Sequence, residues 1–304
     1  MSDVFDIPAP NWRQDEEIKI FDDAVGQFFE KELKPHVEDW REAGVVPREV
    51  WYQAAEQGLL LVSAPEEYGG AGGDFRHDAV IIEQMEKQGI AGFGIGLHNA
   101  IVAPYIIHYG SEEQKQRLLP KLASGELVCA IAMTEPGTGS DLQNIKTTAK
   151  KDGNGYVING SKTFITNGQT ANLVLVCAKT DPTKGSKGIS ILMVETDEVE
   201  GFERGRNLKK IGQPAADTSE LFFNDVKVPA DALLGPEEGQ GFIQLMQQLP
   251  QERHIIGIQG IGMIERAIKE TVAYVKQRKA FGGTIMDFQN TQFKLAECKT
   301  EATV

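Results

Sequence analysis

The sequence predicts an α+β chain of several domains: a helical amino-terminal part, a central antiparallel β-barrel-like domain, and the start of a carboxy-terminal helical bundle. Three observations predict it. Up to about residue 126, apolar residues recur at spacings of three and four. From residue 128 the pattern changes to short apolar or alternating runs divided by turn dipeptides. From Phe242 the helical spacing returns. The boundaries follow as 1–127, 128–232 and 233–304. A chain of 304 residues suits one large unit or two to three packed domains, and it contains no internal repeat or low-complexity tract.

The elements follow in order. In 15–40, Ile18, Phe21, Val25 and Phe28/Phe29 form one stripe, which predicts an amphipathic helix. The stretch 47–60 begins with proline and ends near glycine, as helices do. Residues 77–89 repeat the style. The stretch 111–126 opens on Ser111 and Gln114, a capping-box spacing. Between them, 89–110 is glycine-rich and then apolar, which predicts a buried helix. Strands are predicted at 128–133, 155–166, 172–179, 188–195 and 218–228, with turns at Asn154-Gly155, Asn159-Gly160 and Asn167-Gly168. Helices are predicted again over 242–278 and from 286 to 300.

Composition narrows the function classes. The formal net charge of −13 disfavours nucleic acid and anionic membrane surfaces as partners. No apolar run approaches the ~18–20 residues of a membrane span. The amino terminus lacks the basic start and apolar core of a leader, so a cytoplasmic, bacterial-type soluble protein is expected. Cys129, Cys177 and Cys298 form no CxxC pair, and the five histidines show no metal-ligand spacing, so no metal is expected.

Two loops and one helix carry candidate chemistry. In "AMTEPGTGSDL" (132–142), Gly137 and Gly139 would let backbone N–H groups approach a ligand, or would simply make a turn. It lacks the third glycine and the β-α-β flanks of a dinucleotide fingerprint, and no P-loop motif occurs. In "QRKAFGG" (277–283), Arg278 suits either a solvated helix end or a phosphate. Gly92, Gly94 and Gly96 suit either a deep channel or loose helix packing. In "LMQQLPQERHIIG", helical counting puts Phe242, Leu245, Leu249, Glu252, Ile256 and Gly260 on one face. That count aims Glu252 inward, where a carboxylate is costly unless paired or functional. Alternatively, Pro250 opens a helix and Glu252 is an acid of its first turn.

Four stretches together, "CAIAMTEPGTGSD" (129–141), "GSKTFITNG" (160–168), "DTSELFFNDVKVPADALLG" (217–235) and "YVKQRKAFGGTIMDFQ" (274–289), resemble the acyl-CoA dehydrogenase flavoenzymes. With "LPQERHIIG" (249–257), the resemblance is strongest to the long-chain branch, and it covers nearly the whole chain. It implies FAD as cofactor and α,β-desaturation of a medium- to long-chain acyl-CoA thioester in fatty-acid β-oxidation. Electrons would pass to an electron transfer flavoprotein. It implies that Ile131, Met133, Thr134, Gly139 and Ser140 line the flavin, that Phe164 covers its ring, that Thr134 and Thr166 hydrogen-bond to it, and that Ile165 also contacts it. Arg278, Phe281 and Gln289 would reach the flavin of a neighbouring subunit in a homotetramer built as a dimer of dimers. Ser140, Ser186, Lys187, Pro250, Gln251, Glu252 and Arg253 would contact acyl-CoA, and Glu252 would be the base that takes the α-proton. The closing helices of the family pattern have no counterpart here, so a stand-alone 1–304 chain is expected to expose apolar faces over 291–304 and to hold FAD weakly. An oxygen-using oxidase or flavin monooxygenase of the same fold remains an alternative, as does a non-catalytic CoA- or partner-binding relic.

Overall fold

The computed structural model describes residues 11–304. The leaderless reading of the amino terminus rests largely on residues 1–10, which lie outside the described residues. The chain divides into two compact units, one of residues 1–35, 79–90 and 254–304, the other of residues 36–78 and 91–253.

The helices open with α1 (Glu16–Phe28), capped by the Asp15 side chain on the Glu17 N–H. Instead of one helix over 15–40, the chain passes through a π-turn at Phe29–Leu33 and a short 3₁₀ turn before α2 (Val37–Ala43). Pro35 explains the break, since it can donate no backbone hydrogen bond. α3 (Arg48–Glu56) follows Pro47, and α4 is Phe75–Gln88. The apolar stretch after the glycines forms a π-helical segment at Leu97–Val102 and then α5 (Ala103–Tyr109), both buried over most of their length. α6 (Glu112–Ala123) carries the full capping box of Ser111 and Gln114. Gln114 also donates to the Asp231 and Leu233 carbonyls at 2.7 Å, tying the helix start to the end of the β-region.

Seven strands make one sheet: β1 (Cys129–Ala132), β2 (Thr148–Asp152), β3 (Gly155–Thr166), β4 (Leu173–Lys179), β5 (Ile189–Glu195), β6 (Phe202–Asn207) and β7 (Thr218–Pro229). The order is β1-β4-β2-β3-β7-β6, with β5 also paired to β4. Most pairings are antiparallel, but β1 runs parallel to β4 along its length, and β2 meets β4 in parallel at Thr148 and Lys179. The uninterrupted apolar runs of β1, β4 and β5 have a reason in this packing. All three strands are buried on both faces, so no alternation is required. Ala130, Val174, Val176, Leu192, Ile158, Leu221 and Phe223 form the core of one face.

Two turn expectations need correction. The β2–β3 hairpin turns at Gly153-Asn154, with Gly153 at φ 58° and Gly155 already paired to Asp152. Asn159-Gly160 is not a turn but a bulge inside β3, where the register against β7 shifts. Gly160 is required there, because a Cβ would lie 2.4 Å from the Thr147 hydroxyl.

The chain then enters α7 (Gly241–Gln277), 37 residues with Pro250 inside it. A two-stranded ribbon of β8 (Lys279–Ala280) and β9 (Gly283–Thr284) leads to α8 (Gln289–Thr303). In the first unit, Gln84 donates to Asp22, Gln88 donates to the Gly26 carbonyl, and Gln259 and Arg266 donate to Glu86. Among the described residues no helix is long and apolar enough to cross a membrane.

Candidate active site

The site is built in the second unit from β1, β3, β4, α5 and the first turns of α7. β1 ends at Ala132, and the chain turns out through Met133 and Thr134, both half-buried. Two bonds lock that turn to β3. The Thr163 N–H donates to the Thr134 carbonyl at 2.9 Å, and the Lys162 ammonium donates to the Met133 carbonyl at 3.0 Å. Lys162 is wholly buried and also pairs with Glu135 at 2.9 Å. Glu135 accepts the backbone N–H groups of Lys146 and Thr147 as well. Burial would raise the Glu135 carboxyl, but the Lys162 ammonium and these donors outweigh it and hold it below its ordinary value.

These bonds bring the end of β1 and the end of β3 together. Ile131 is buried, and Gly139 and Ser140 continue the loop at the surface. On β3, Ile165 pairs with Ser219 and Thr166 with Thr218. Beside these paired residues, Phe164 sits at φ 59° with 67% of its area exposed. A left-handed conformation is costly for an aromatic residue, and so is a bare ring in water. The hydroxyls of Thr134 and Thr166 make no hydrogen bond among the described residues. A Cβ at Gly137 or Gly139 would meet nothing within 4 Å. The two segments therefore present an unpacked aromatic face and uncommitted hydroxyl groups.

Glu252 is half-buried, and its Oε1 accepts the Tyr105 hydroxyl at 2.6 Å. Burial raises its carboxyl above the ordinary value, opposed by the Tyr105 bond and the nearby Arg253 charge. Because Pro250 lies within α7, Glu252 is not a first-turn acid. Its inward aim holds, but the buried face is rotated from the counted one. It runs through Gln244, Leu245, Gln248 and Ile255, while Ile256 is 56% exposed. Pro250 is exposed, Gln251 donates to the Ala100 carbonyl at 2.9 Å, and Arg253 is exposed to solvent.

One buried thiol shares the sheet face of Ile131. Ile131 is paired to Leu175, so Cys177 lies on the same face of the sheet. Burial pushes the Cys177 thiol up to about 11, with Lys162 drawing it down and Glu252 and Glu135 adding to the rise. Ser186 and Lys187 sit elsewhere, in the 3₁₀ segment before β5, where the Lys187 carbonyl closes on Gly239. Arg278, Phe281 and Gln289 belong to the first unit, with Phe281 almost fully exposed at φ 51°. Gly92 and Gly94 open no channel at their own positions. A Cβ on them would meet Ala215 at 2.5 Å and Asn167 at 1.9 Å.

Tyr105, Cys177, Lys162 and Glu135 are not singled out by any motif. Lys162 and Glu135 fall inside the family-like stretches, and their charge beside apolar runs is a usable signal. Tyr105 gives none, since a tyrosine in an apolar helix is ordinary core.

Comparison with known proteins is consistent across the chain. Acyl-CoA dehydrogenase family models match residues 15–126 (N-terminal domain), 130–226 (middle domain) and 239–304 (C-terminal domain). The long-chain specific acyl-CoA dehydrogenase of Sus scrofa mitochondria is 49% identical over 287 residues, 94% of this chain. The chain spans 66% of that relative's length. The crystal structure of an acyl-CoA dehydrogenase from Geobacillus kaustophilus superposes with a TM-score of 0.92 at 52% identity, covering 95% of this chain and 76% of that one. A glutaryl-CoA dehydrogenase from Mycobacterium smegmatis, solved in complex with FADH2, superposes at 0.85 with 31% identity, covering 95% and 72%.

Proposed function

This chain belongs to the acyl-CoA dehydrogenase family, and from that premise we propose that it removes a proton and a hydride from Cα and Cβ of an acyl-CoA. The product is a trans-2-enoyl-CoA, and the substrate a medium- to long-chain thioester of fatty-acid β-oxidation. FAD is the proposed cofactor. The residues fit it: an aromatic face at Phe164 suits a flat ring, and the free hydroxyls of Thr134 and Thr166 suit its polar edge. Ile131, Met133, Gly139, Ser140 and Ile165 would complete the wall, and Arg278, Phe281 and Gln289 would serve the flavin of a neighbouring subunit. When bound, FAD supplies the hydride acceptor. Electron transfer flavoprotein is the proposed partner, and a homotetramer the proposed assembly.

What carries this reading is Glu252, a half-buried carboxylate on α7 whose Oε1 accepts the Tyr105 hydroxyl and whose pKa burial raises. A base in such a site takes an α-proton without being masked by water. Burial raises it, and the Tyr105 hydrogen bond and the Arg253 charge oppose that rise in favour of the ionised form a base requires. Glu135 and Lys162 play a different part. They are committed to each other and to backbone, so they fix the loop rather than move protons. The exposed Arg253 suits the anionic end of CoA, with Ser186 and Lys187 as further contacts. The test is Glu252→Gln in the FAD-loaded protein. Loss of a general base lowers desaturation by roughly 10²–10⁴-fold, with acyl-CoA binding retained. A Gln variant that desaturates at the normal rate removes Glu252 from the role.

A further inference from the structure

We propose that Tyr105 is the positioning residue of the base: its hydroxyl clamps one oxygen of Glu252, fixes the orientation of the carboxylate, and leaves the other oxygen to meet the substrate. This rests on the reading of Glu252 as base. Tyr105 is wholly buried on α5, and its O–H donates to Glu252 Oε1 at 2.6 Å. That distance is typical of a charge-assisted bond between a hydroxyl and an anion. Residues 105 and 252 are 147 apart in sequence, so the fold itself assembles the pair. The tyrosine has little freedom to move. Its ring packs against Tyr109 at 6.2 Å between centroids, and α5 is anchored by the buried π-helical segment Leu97–Val102 that leads into it.

Among the described residues no other group does the same work. Tyr109 gives its hydroxyl to Gln247 at 2.8 Å, and His108 faces Gln248 at 2.7 Å. Cys177 approaches from β4 as a buried thiol, and Arg253 acts from the same helix through its charge. Among the described residues, Tyr105 alone donates a hydrogen bond to the Glu252 side chain, and Oε2 receives none. The clamp therefore leaves Oε2 as the oxygen free for a substrate proton. Burial also keeps the phenol far above its ordinary pKa, so it remains a donor.

The sign of the effect follows. Tyr105 stabilises the ionised form of Glu252, against a burial that disfavours it. Without the hydroxyl, Glu252 protonates at higher pH. The test compares FAD-loaded wild type, Tyr105→Phe and Tyr109→Phe, with dodecanoyl-CoA and an artificial electron acceptor. In Tyr105→Phe the acid limb of the kcat profile moves up by about one pH unit, kcat at the optimum falls about ten-fold, and KM changes little. Tyr109→Phe leaves the limb in place. An infrared titration of the Glu252 carboxyl, with Glu252→Gln as the blank, shows the same upward shift without turnover. If Tyr105→Phe folds poorly, 3-fluorotyrosine at 105, a stronger donor of nearly the same shape, moves the limb down. An unshifted limb and an unshifted carboxyl titration overturn the proposal. A Glu252→Gln enzyme that still desaturates fails the base assignment itself. An inert Glu252→Gln enzyme beside an unshifted Tyr105→Phe fails only the role of Tyr105.

Discussion

Asp78 shows how a single buried acid sets a pH dependence away from the site. It is 2% exposed, with one oxygen unpartnered, and burial pushes its carboxyl up to about 6, offset in part by Ser63 and Asn99. Its unfolded value is about 3.9. The folded state therefore holds this proton more tightly, so ionisation penalises the fold. The penalty is present above pH 6 and is relieved as pH falls towards 4, by about 2–3 kcal/mol. Urea unfolding should show the stability of wild type relative to Asp78→Asn rising by about that amount between roughly pH 7.5 and 4. A difference that stays flat with pH contradicts the assignment. At this scale the sequence was partly legible. Helical counting aimed Glu252 inward, and it is half-buried there. The same count placed Ile256 and Gly260 on the buried face, which instead carries Gln244, Gln248 and Ile255. An apolar count misses a face lined by glutamines, because their burial depends on partners such as His108 and the Leu234 carbonyl.

The elements that hold the site depend on one buried ion pair. Lys162 on β3 joins the Met133 carbonyl and Glu135, so it pins the turn after β1 to the neighbouring strand. Lys162→Met leaves Glu135 buried without its counter-charge, which costs about 3–5 kcal/mol. Urea unfolding should show this loss, and adding Glu135→Gln should recover part of it. Equal stability of wild type and Lys162→Met contradicts this role. Strand legibility followed burial. β3 was expected over 155–166 and is found there, and β4, β5 and β7 lie within a residue of their expected limits. β2 and β6 were missed because they are short and largely exposed, so charged residues replace the apolar signal. The parallel pairing of β1 with β4 was not legible either, since pairing direction depends on the path of the intervening chain.

Across the whole molecule, the order of helices, sheet and helices was legible, because each change of period is visible over tens of residues. What periodicity could not show is which apolar faces stay open. In residues 254–304, Ile256, Ile261, Tyr274, Phe281 and Phe293 are each at least 47% exposed. Such faces favour association, so the protein should sediment as an oligomer at micromolar concentration. Replacing Ile261 and Tyr274 with Glu and Lys should shift it towards monomer, and a wild-type monomer under those conditions contradicts the proposed assembly.

A flavin wall at β1 and β3 and a base on α7 are tested together by one measurement. It is anaerobic bleaching of the FAD-loaded protein by a series of acyl-CoA thioesters, followed at the flavin absorbance, for wild type and Glu252→Gln. Wild type should bleach rapidly, fastest with medium to long chains, and the variant at least ~10²-fold more slowly. Bleaching of Glu252→Gln at the wild-type rate would contradict the assignment.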